Sequence, residues 1–172
     1  MYEGIRRSTS HAYMGINANF TKDDVKARFD KFLEVVEKRQ IDRLAKLGEE
    51  CVTHARLIPK DRGFEDQTGN LRSSIGYVLF RDGVAIHDDY KAVSGPVGGG
   101  NSGQAIEKSK DLAERVARNH PVGICLVVTA GMQYAVCVES RGRDVLTSAE
   151  IMAQQKLPVM VQEMVENIKK TF

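Results

Sequence analysis

The sequence predicts an α+β protein in which a long N-terminal helix and a C-terminal helix pack on an antiparallel sheet of two hairpins, in the order α-ββ-α-ββ-α. Apolar residues recur every three or four positions near both ends of the chain, which is typical of amphipathic helices. Between these ends lie short runs of β-branched and aromatic residues, separated by turn residues. The chain has 172 residues, 42% of them apolar, a composition typical of one globular domain.

Residues 1–20 show no periodicity and are predicted to form a flexible arm, with residues 21–172 as a single domain. Thr21 is predicted to be the N-cap of the first helix, because acidic residues follow it in the first turn. The apolar spacing continues over residues 22–57. A helix of this length is long for the domain, so we expect it either to kink near Gly48 or to project beyond the core.

Two β-rich runs, residues 74–80 and 84–87, flank an Asp82-Gly83 pair that favours a tight hairpin turn. Residues 94–119 follow as a glycine-rich loop and a short helix, and we interpret them as an insertion between the hairpins. The glycine-rich part, residues 94–103, is expected to be mobile on the surface.

Residues 123–129 and 133–139 are predicted to form the second hairpin. The first of these strands is apolar on both faces and must be covered on both, by the long helix and by either the second helix or a neighbouring subunit. The chain ends with a helix over residues 148–170, which Pro158 kinks or restarts. Its predicted buried stripe consists of Leu157, Val161, Met164, Val165, Ile168 and Phe172.

Charge and hydropathy argue against several classes of protein. A formal charge of +2 and a pI near 8.4 disfavour a dedicated nucleic-acid binder. The N-terminus lacks the apolar core of a signal peptide, and the longest apolar run is about half of a membrane span, so we expect no membrane partner. Cys51, Cys125 and Cys137 lack CxxC spacing and are predicted to be reduced, buried and unreactive, as in a protein that folds in a cytoplasm.

No motif for a cofactor or a metal is complete. Residues 95–102 resemble a phosphate-binding loop, but Asn101 stands where that loop needs a lysine. Isolated candidate metal ligands occur at His11, Cys51, His54, His120 and the run His87-Asp88-Asp89. Two ligands do not make a metal site, and we interpret the run as a solvated turn at a strand end. We therefore expect no enzyme, no cofactor and no metal.

The loop that carries Arg141 and Arg143 remains as a candidate. It can be an ordinary surface loop, or it can contact a neighbouring subunit or a phosphate. The second possibility supports an alternative function: a small nucleic-acid-binding factor or enzyme whose site assembles around this loop, with His87 and Asp88 as further members.

Two separated segments carry a resemblance to a known family. They read Thr68-Gly69-Asn70-Leu71-Arg72-Ser73-Ser74-Ile75 and Tyr134-Ala135-Val136-Cys137-Val138-Glu139, with Gly142 three residues further on. In this order they resemble the minor structural proteins of long-tailed bacteriophages, which are tail-completion and head–tail joining components. The element order is similar over residues 17–172. Where the family commonly has Glu-x-Gly-Thr and a proline-rich approach to the last helix, residues 139–144 read Glu-Ser-Arg-Gly-Arg-Asp.

The resemblance implies a non-enzymatic virion protein of a phage or prophage that acts in tail completion or head–tail joining. It implies other tail or connector proteins as partners, a homo-oligomer such as a ring, and a location in the virion after assembly from the host bacterial cytoplasm. The arm and the loop 94–103 would become ordered on docking. The candidate family-motif or interface residues are Thr68, Gly69, Asn70, Leu71, Arg72, Tyr134, Glu139, Arg141, Gly142 and Arg143.

The same residues also have a purely structural interpretation, in which they only fix the fold. Thr68 is predicted to cap the turn that follows it, and Leu71 and Ile75 to anchor that turn to the core. Glu139 is predicted to pair with Arg72 or Arg141.

Overall fold

The structure, a computed structural model, describes the backbone of residues 20–171 and the side chains of residues 20–170. Apart from Phe20, the predicted arm lies outside the described residues, as does Phe172. The elements are α1 (Lys22–Arg56), α2 (Asn70–Ser74), β1 (Ile75–Arg81), β2 (Val84–Tyr90), α3 (Ser102–Ala117), β3 (Ile124–Ala130), α4 (Ala135–Ser140) and α5 (Thr147–Thr171). The predicted mixed α+β class, with long helices at both ends and an antiparallel sheet, is confirmed.

Helix α1 begins where the sequence predicts. Thr21 Oγ1 accepts a hydrogen bond from the Asp24 N–H at 3.1 Å, and the Asp24 carboxylate accepts one from the Thr21 N–H at 2.8 Å. These reciprocal bonds pair two N–H groups at the start of the helix. The bonds that the Thr21 N–H and hydroxyl donate to the Asp24 carboxylate lower the pKa of Asp24. The chain divides after Glu34 into two units. In the first unit, Val25 and Phe29 are 52% and 59% exposed.

The second part of α1 packs on the core. Its buried residues are Leu47, Gly48, Cys51, Val52 and Ala55. The helix continues through Gly48, so the predicted kink is not needed there. Instead, the missing side chain of Gly48 lets the ring of Tyr77 on β1 approach the helix backbone.

The sheet has three strands in the order β2-β1-β3, and both pairings are antiparallel. The first predicted hairpin is confirmed, with Arg81 opposite Val84 at its turn. The second predicted hairpin is wrong, because residues 135–140 form α4 instead of a strand. The apolar pattern also fits a helix there: Ala135 is buried and Val138, three residues on, is partly buried.

β1 and β3 pack against helices on both faces, as the sequence predicts for β3, whereas β2 is largely exposed. Ile75, Tyr77 and Leu79 belong to a buried cluster shared with α1 and α5. The alternate residues Val78 and Phe80 belong to a second buried cluster, together with Ala113 and Ala117 of α3. The long helix and the second helix are therefore the two covers.

Helix α3 is bound into the core through a buried hydroxyl. Ser109 Oγ donates to the carbonyl of Ser74 at 2.7 Å and accepts from the Gly131 N–H at 2.9 Å. These bonds tie α3 to the start of β1 and to the end of β3. The segment interpreted as an insertion, residues 94–119, thus contains the helix that covers one face of the sheet.

Helix α5 runs without interruption through Pro158, and its predicted stripe is mostly not buried. Met164 is buried, whereas Leu157, Val161 and Val165 are 41%, 44% and 40% exposed. The physical reason is the missing fourth strand: the sheet ends at β3 within the described residues, so it does not reach these side chains. No helix within residues 20–171 is long and apolar enough to span a membrane.

The three cysteines are free, but they differ in exposure. Cys51 is buried, Cys125 is partly buried and Cys137 is exposed. The prediction that all three are buried is therefore wrong for Cys137, because that residue lies on the outer side of α4 and not in a strand.

Candidate functional site

The two segments that carry the resemblance meet at one end of the sheet. Leu71 and Ile75 of the first segment and Ala135 of the second belong to one buried cluster, together with Phe64 and Val145. Leu71 is 2% exposed and Ile75 is fully buried, which confirms that they anchor this region to the core. We call residues 60–75 and 134–147 the motif cluster.

The turn before α2 is held by Asp66, which the sequence analysis did not single out. Its carboxylate accepts hydrogen bonds from the backbone N–H groups of Gly69 and Arg72, both at 3.0 Å. Thr68, the predicted cap, accepts only a long bond of 3.4 Å from the Asn70 N–H. Asp66 was detectable as an aspartate placed just before a turn, where its carboxylate can bind nearby N–H groups.

The glycine-rich loop packs against this turn. Gly69 has a φ of 84°, and a β-carbon there would collide with the carbonyl oxygen of Val93. The buried Ser73 hydroxyl lies 2.6 Å from the Gly69 carbonyl and accepts a hydrogen bond from the Val93 N–H at 2.8 Å. A β-carbon at Gly95 or Gly100 would likewise collide with the backbone of residues 67–69. These parts of the predicted mobile loop are therefore in close backbone contact with the motif cluster.

Arg72 and Asn70 have unused hydrogen-bonding atoms. The Arg72 guanidinium lies 5.6 Å from the centre of the Phe64 ring, a cation–π arrangement. Within the described part of the chain, Arg72 Nε and Asn70 Oδ1 are buried without a hydrogen-bond partner. Buried polar atoms without partners are costly, so both atoms can gain from a partner that reaches them.

Glu139 caps α5 instead of forming the predicted ion pair with Arg72 or Arg141. Its Oε1 accepts hydrogen bonds from the N–H groups of Leu146 and Thr147, at 2.9 and 2.8 Å, and from the Thr147 hydroxyl at 2.8 Å. Burial raises the pKa of Glu139, but these hydrogen bonds outweigh that effect and lower it below its ordinary value. The carboxylate satisfies N–H groups that an isolated helix end leaves unpaired.

The arginine loop is also bound into the cluster. Gly142, with a φ of 78°, ends α4 and donates its N–H to the Glu139 carbonyl at 2.9 Å. Arg143 donates to the carbonyls of Lys60 and Asp61, at 3.2 and 3.0 Å, and thereby connects two loops. Arg141 is exposed.

His87 and Asp88, the other residues of the alternative site, lie within β2. The prediction that residues 87–89 form a turn is therefore wrong. His87 Nε2 is 3.1 Å from the Tyr77 hydroxyl, on the α1 side of the sheet. Asp88 forms an ion pair with Lys110 of α3 at 2.6 Å, on the opposite side. Neither contact involves the arginine loop, and no group of three metal-ligating side chains is present among residues 20–170.

Within the motif cluster, the start of α4 exposes apolar side chains. Tyr134 is 41% exposed and Val136 is 73% exposed, next to the exposed Cys137. Burial and the negative charge of Asp66 raise the pKa of Tyr134, so it stays a neutral phenol at ordinary pH. This surface offers an aromatic ring and an aliphatic side chain to a partner.

A second apolar surface is a groove of about 780 Å³ between α1, β3 and α5. Its walls include Leu44 and Leu47 of α1, Leu126 and Val128 of β3, and Leu157 and Val161 of α5. Polar groups stand at only a few places around it, among them Arg43, which forms an ion pair with Glu163 at 3.7 Å.

In comparisons with known proteins, no family model, no curated protein and no solved structure matches this chain.

Proposed function

We propose that this chain is a non-enzymatic structural protein of a bacteriophage or prophage particle, which acts in tail completion or head–tail joining through contacts between subunits. Its partners are other tail or connector proteins and copies of itself. It belongs to the virion and, before assembly, to the cytoplasm of the host bacterium.

The observation that carries the proposal is the convergence of the two motif segments. They are about sixty residues apart in the sequence and share one buried cluster, with Leu71 and Ala135 inside and Tyr134 and Val136 at the surface. A resemblance confined to unconnected surface positions would carry less weight, because chance similarity does not select residues that pack together.

The amount of exposed apolar side chain gives further support. Large apolar residues are exposed on α4, along α5 and on the first turns of α1, at Val136, Leu157, Val161, Val165, Val25, Phe29 and Leu33. Several of them follow helical spacing and line continuous stripes, and contiguous apolar patches of this kind mark surfaces that bind other proteins. A protein whose work is assembly needs such surfaces.

The alternative function, a nucleic-acid-binding factor or enzyme, has less support. Arg143 uses its guanidinium to bind the carbonyls of Lys60 and Asp61, and His87 and Asp88 contact residues of the sheet and α3. Of the four residues predicted for this alternative site, Arg141 is the one for which the described part of the chain shows no such contact. Binding of DNA that weakens steeply with salt, and that is lost in the Arg141→Ala variant, would favour this alternative over the structural role.

The experiment is deletion of the gene from the phage or prophage that carries it, followed by electron microscopy of the lysate and measurement of infectious titre. We expect separate heads and tails, or incomplete tails, and a low titre that the wild-type gene restores. Normal particles at a normal titre would overturn the proposal.

Two variants sharpen the experiment. Val136→Glu places a charge on the exposed side of the motif cluster, and Val84→Glu places the same charge on β2, where the valine is 66% exposed. Both positions tolerate a charge in the folded protein because they face solvent. We expect Val84→Glu to restore the titre and Val136→Glu to restore it poorly, although both proteins are folded.

A further inference from the structure

The outer edge of β3 presents backbone groups that have no partner among the described residues. The Asp82 N–H donates to the Gly123 carbonyl at 2.9 Å, which places residues 123, 125, 127 and 129 in the hydrogen bonds to β1. By strand alternation, the N–H and C=O groups of Ile124, Leu126 and Val128 point away from β1. Among residues 20–171 no other strand pairs with this edge.

The two edges of the sheet differ in charge and regularity. The β2 edge carries His87, Asp88 and Asp89, and its pairing with β1 is interrupted by a register shift between Leu79 and Phe80. Charges and irregularities of this kind protect an edge from pairing with another chain. The β3 edge has the sequence Ile-Cys-Leu-Val-Val-Thr-Ala, without a charge, a proline or a register shift.

The apolar groove lies directly beside this edge. Ile124, Leu126 and Val128 form one wall of it, and Leu157 and Val161 of α5 form another. A strand added next to β3 would therefore point every second side chain into the groove and cover the exposed stripe of α5. The position of this strand is that of the fourth strand that the sequence analysis expects and the fold lacks.

We propose that the β3 strand of a second copy of this chain occupies this position, antiparallel to the first β3 and related to it by a two-fold axis. The two three-stranded sheets then join into one continuous sheet. This contact deepens the proposed assembly role and rests on it for its purpose.

The second copy fits for reasons of symmetry and charge. A two-fold axis perpendicular to the sheet keeps the α1 and α5 faces of both copies on one side, so Ile124, Leu126 and Val128 of both strands point into the joined grooves. The odd-numbered side chains then meet on the α3 side. Since β3 carries no charge, self-pairing brings no like charges together, whereas pairing through β2 of two copies would oppose Asp88 and Asp89 to each other.

The experiment measures the mass of the full chain by light scattering over a range of concentrations, together with hydrogen exchange of the β3 amides. Leu126→Lys and Ile124→Lys place charges on the β3 edge. Val84→Lys is the matched control, because Val84 and Ile124 pair with the same residue, Arg81, from opposite sides. If Leu126→Lys does not fold, Ile124→Lys at the end of the strand carries the test.

We expect a dimer that both β3 variants weaken at least tenfold and that Val84→Lys leaves unchanged. The amides of Leu126 and Val128 should exchange slowly only at concentrations where the dimer forms. A monomer at every concentration, or a dimer insensitive to the β3 variants, would overturn the inference. So would protection of these amides that does not depend on concentration, which would place another segment of the same chain at the edge.

One more outcome would overturn the proposed β3–β3 contact, namely that Val84→Lys blocks assembly as strongly as the β3 variants do. In that case β3 of one copy would join β2 of the next copy head to tail. These outcomes are separate from those of the gene deletion. The dimer is measured on the isolated protein, whereas the particle role is judged by the heads, tails and titre of the lysate.

Discussion

The ring of Tyr77 packs against the backbone of Gly48 so closely that a β-carbon on Gly48 would lie 2.8 Å from the ring. Tyr77 is fully buried, and its strand is the central one of the sheet. The contact therefore fixes how closely α1 approaches β1. It also explains why a glycine, which weakens a helix, stands in the middle of α1.

Alanine at position 48 is expected to destabilise the protein. Gly48→Ala should lower the free energy of unfolding by about 1–3 kcal/mol, because the added methyl group forces the buried ring to shift. Gly103→Ala, near the start of α3, should raise that free energy by up to about 1 kcal/mol, because the nearest atom there lies 3.7 Å away and alanine favours a helix. Urea unfolding of both variants gives the sign of each change in unfolding free energy. A stabilised Gly48→Ala variant would contradict the packing of α1 on Tyr77.

Glu139 is expected to stabilise α5 through its hydrogen bonds to Leu146 and Thr147. Glu139→Gln should lower the free energy of unfolding at neutral pH by about 1 kcal/mol, the usual effect of losing a helix cap. Glu166→Gln, on the exposed side of α5, should change it by less than about 0.5 kcal/mol. Equal losses in the two variants would show that the cap contributes nothing.

The contribution of Glu139 should also depend on pH. Its pKa in the folded protein lies below the ordinary value of 4.5, so the folded state favours the carboxylate. The stabilisation is complete above that ordinary value and is lost as the pH falls through the folded pKa. The difference in unfolding free energy between wild type and Glu139→Gln should therefore shrink as the pH falls below 4.5. A difference that stays constant over this range would contradict the assignment.

The turn at Gly69 is expected to tolerate no side chain. Gly69 and Gly99 both have positive φ angles, 84° and 71°, but only Gly69 lies against the backbone of residues 93–95. Gly99→Ala should cost about 1–2 kcal/mol from the left-handed conformation alone. Gly69→Ala should cost clearly more, since the loop must also move away. Thermal unfolding of both variants separates the two effects, and equal costs would mean that the loop does not pack on the turn.

Two tyrosines, the buried Tyr77 and the partly buried Tyr90, should stay protonated well above their usual range. Burial and the nearby charges of Glu49, Asp89 and Asp88 raise the pKa of Tyr77 to about 12. Burial also raises the pKa of Tyr90 to about 12, although the hydrogen bond with Thr129 lowers it.

Because folding raises both pKa values, the folded state favours the protonated tyrosines. Their contribution to the free energy of unfolding is present below pH 10 and is lost as the pH rises towards 12. The tyrosinate absorbance of the native protein should therefore lag behind that of the unfolded chain near about pH 11. Coincident titration curves would contradict the burial of both rings.

The sequence was sufficient to predict the three longer helices and the first hairpin because their signals are local. The start of α1 depends on Thr21 and Asp24, which lie three residues apart, and the hairpin depends on Asp82-Gly83. The region after β3 was mispredicted for a physical reason. Residues 135–138 are apolar enough for a strand or for one short helical turn, and periodicity alone does not separate the two in so few residues.

The motif cluster was predicted as a set of residues but not as a set of contacts. Asp66 and Ser73 bind the turn through backbone groups, and Glu139 binds the N-terminus of α5 instead of an arginine. The bond from the Val93 N–H to Ser73 depends on where two segments 20 residues apart meet, which the residue types alone do not specify. The bonds of Asp66 and Glu139 span only three to eight residues, and they were missed although they are local. The open edge of β3 was not expected for the same reason, since a fourth strand at residues 133–139 would have covered it.

We propose that this chain is built into a phage particle, and mass spectrometry of purified particles measures this directly. Particles from a lysate are separated from free protein by density gradient and compared with particles from the gene deletion complemented by wild type or by Val136→Glu. We expect the wild-type chain in the particles at a constant ratio to the tail proteins, and little of the Val136→Glu chain. Infectious particles that contain none of the chain would contradict it.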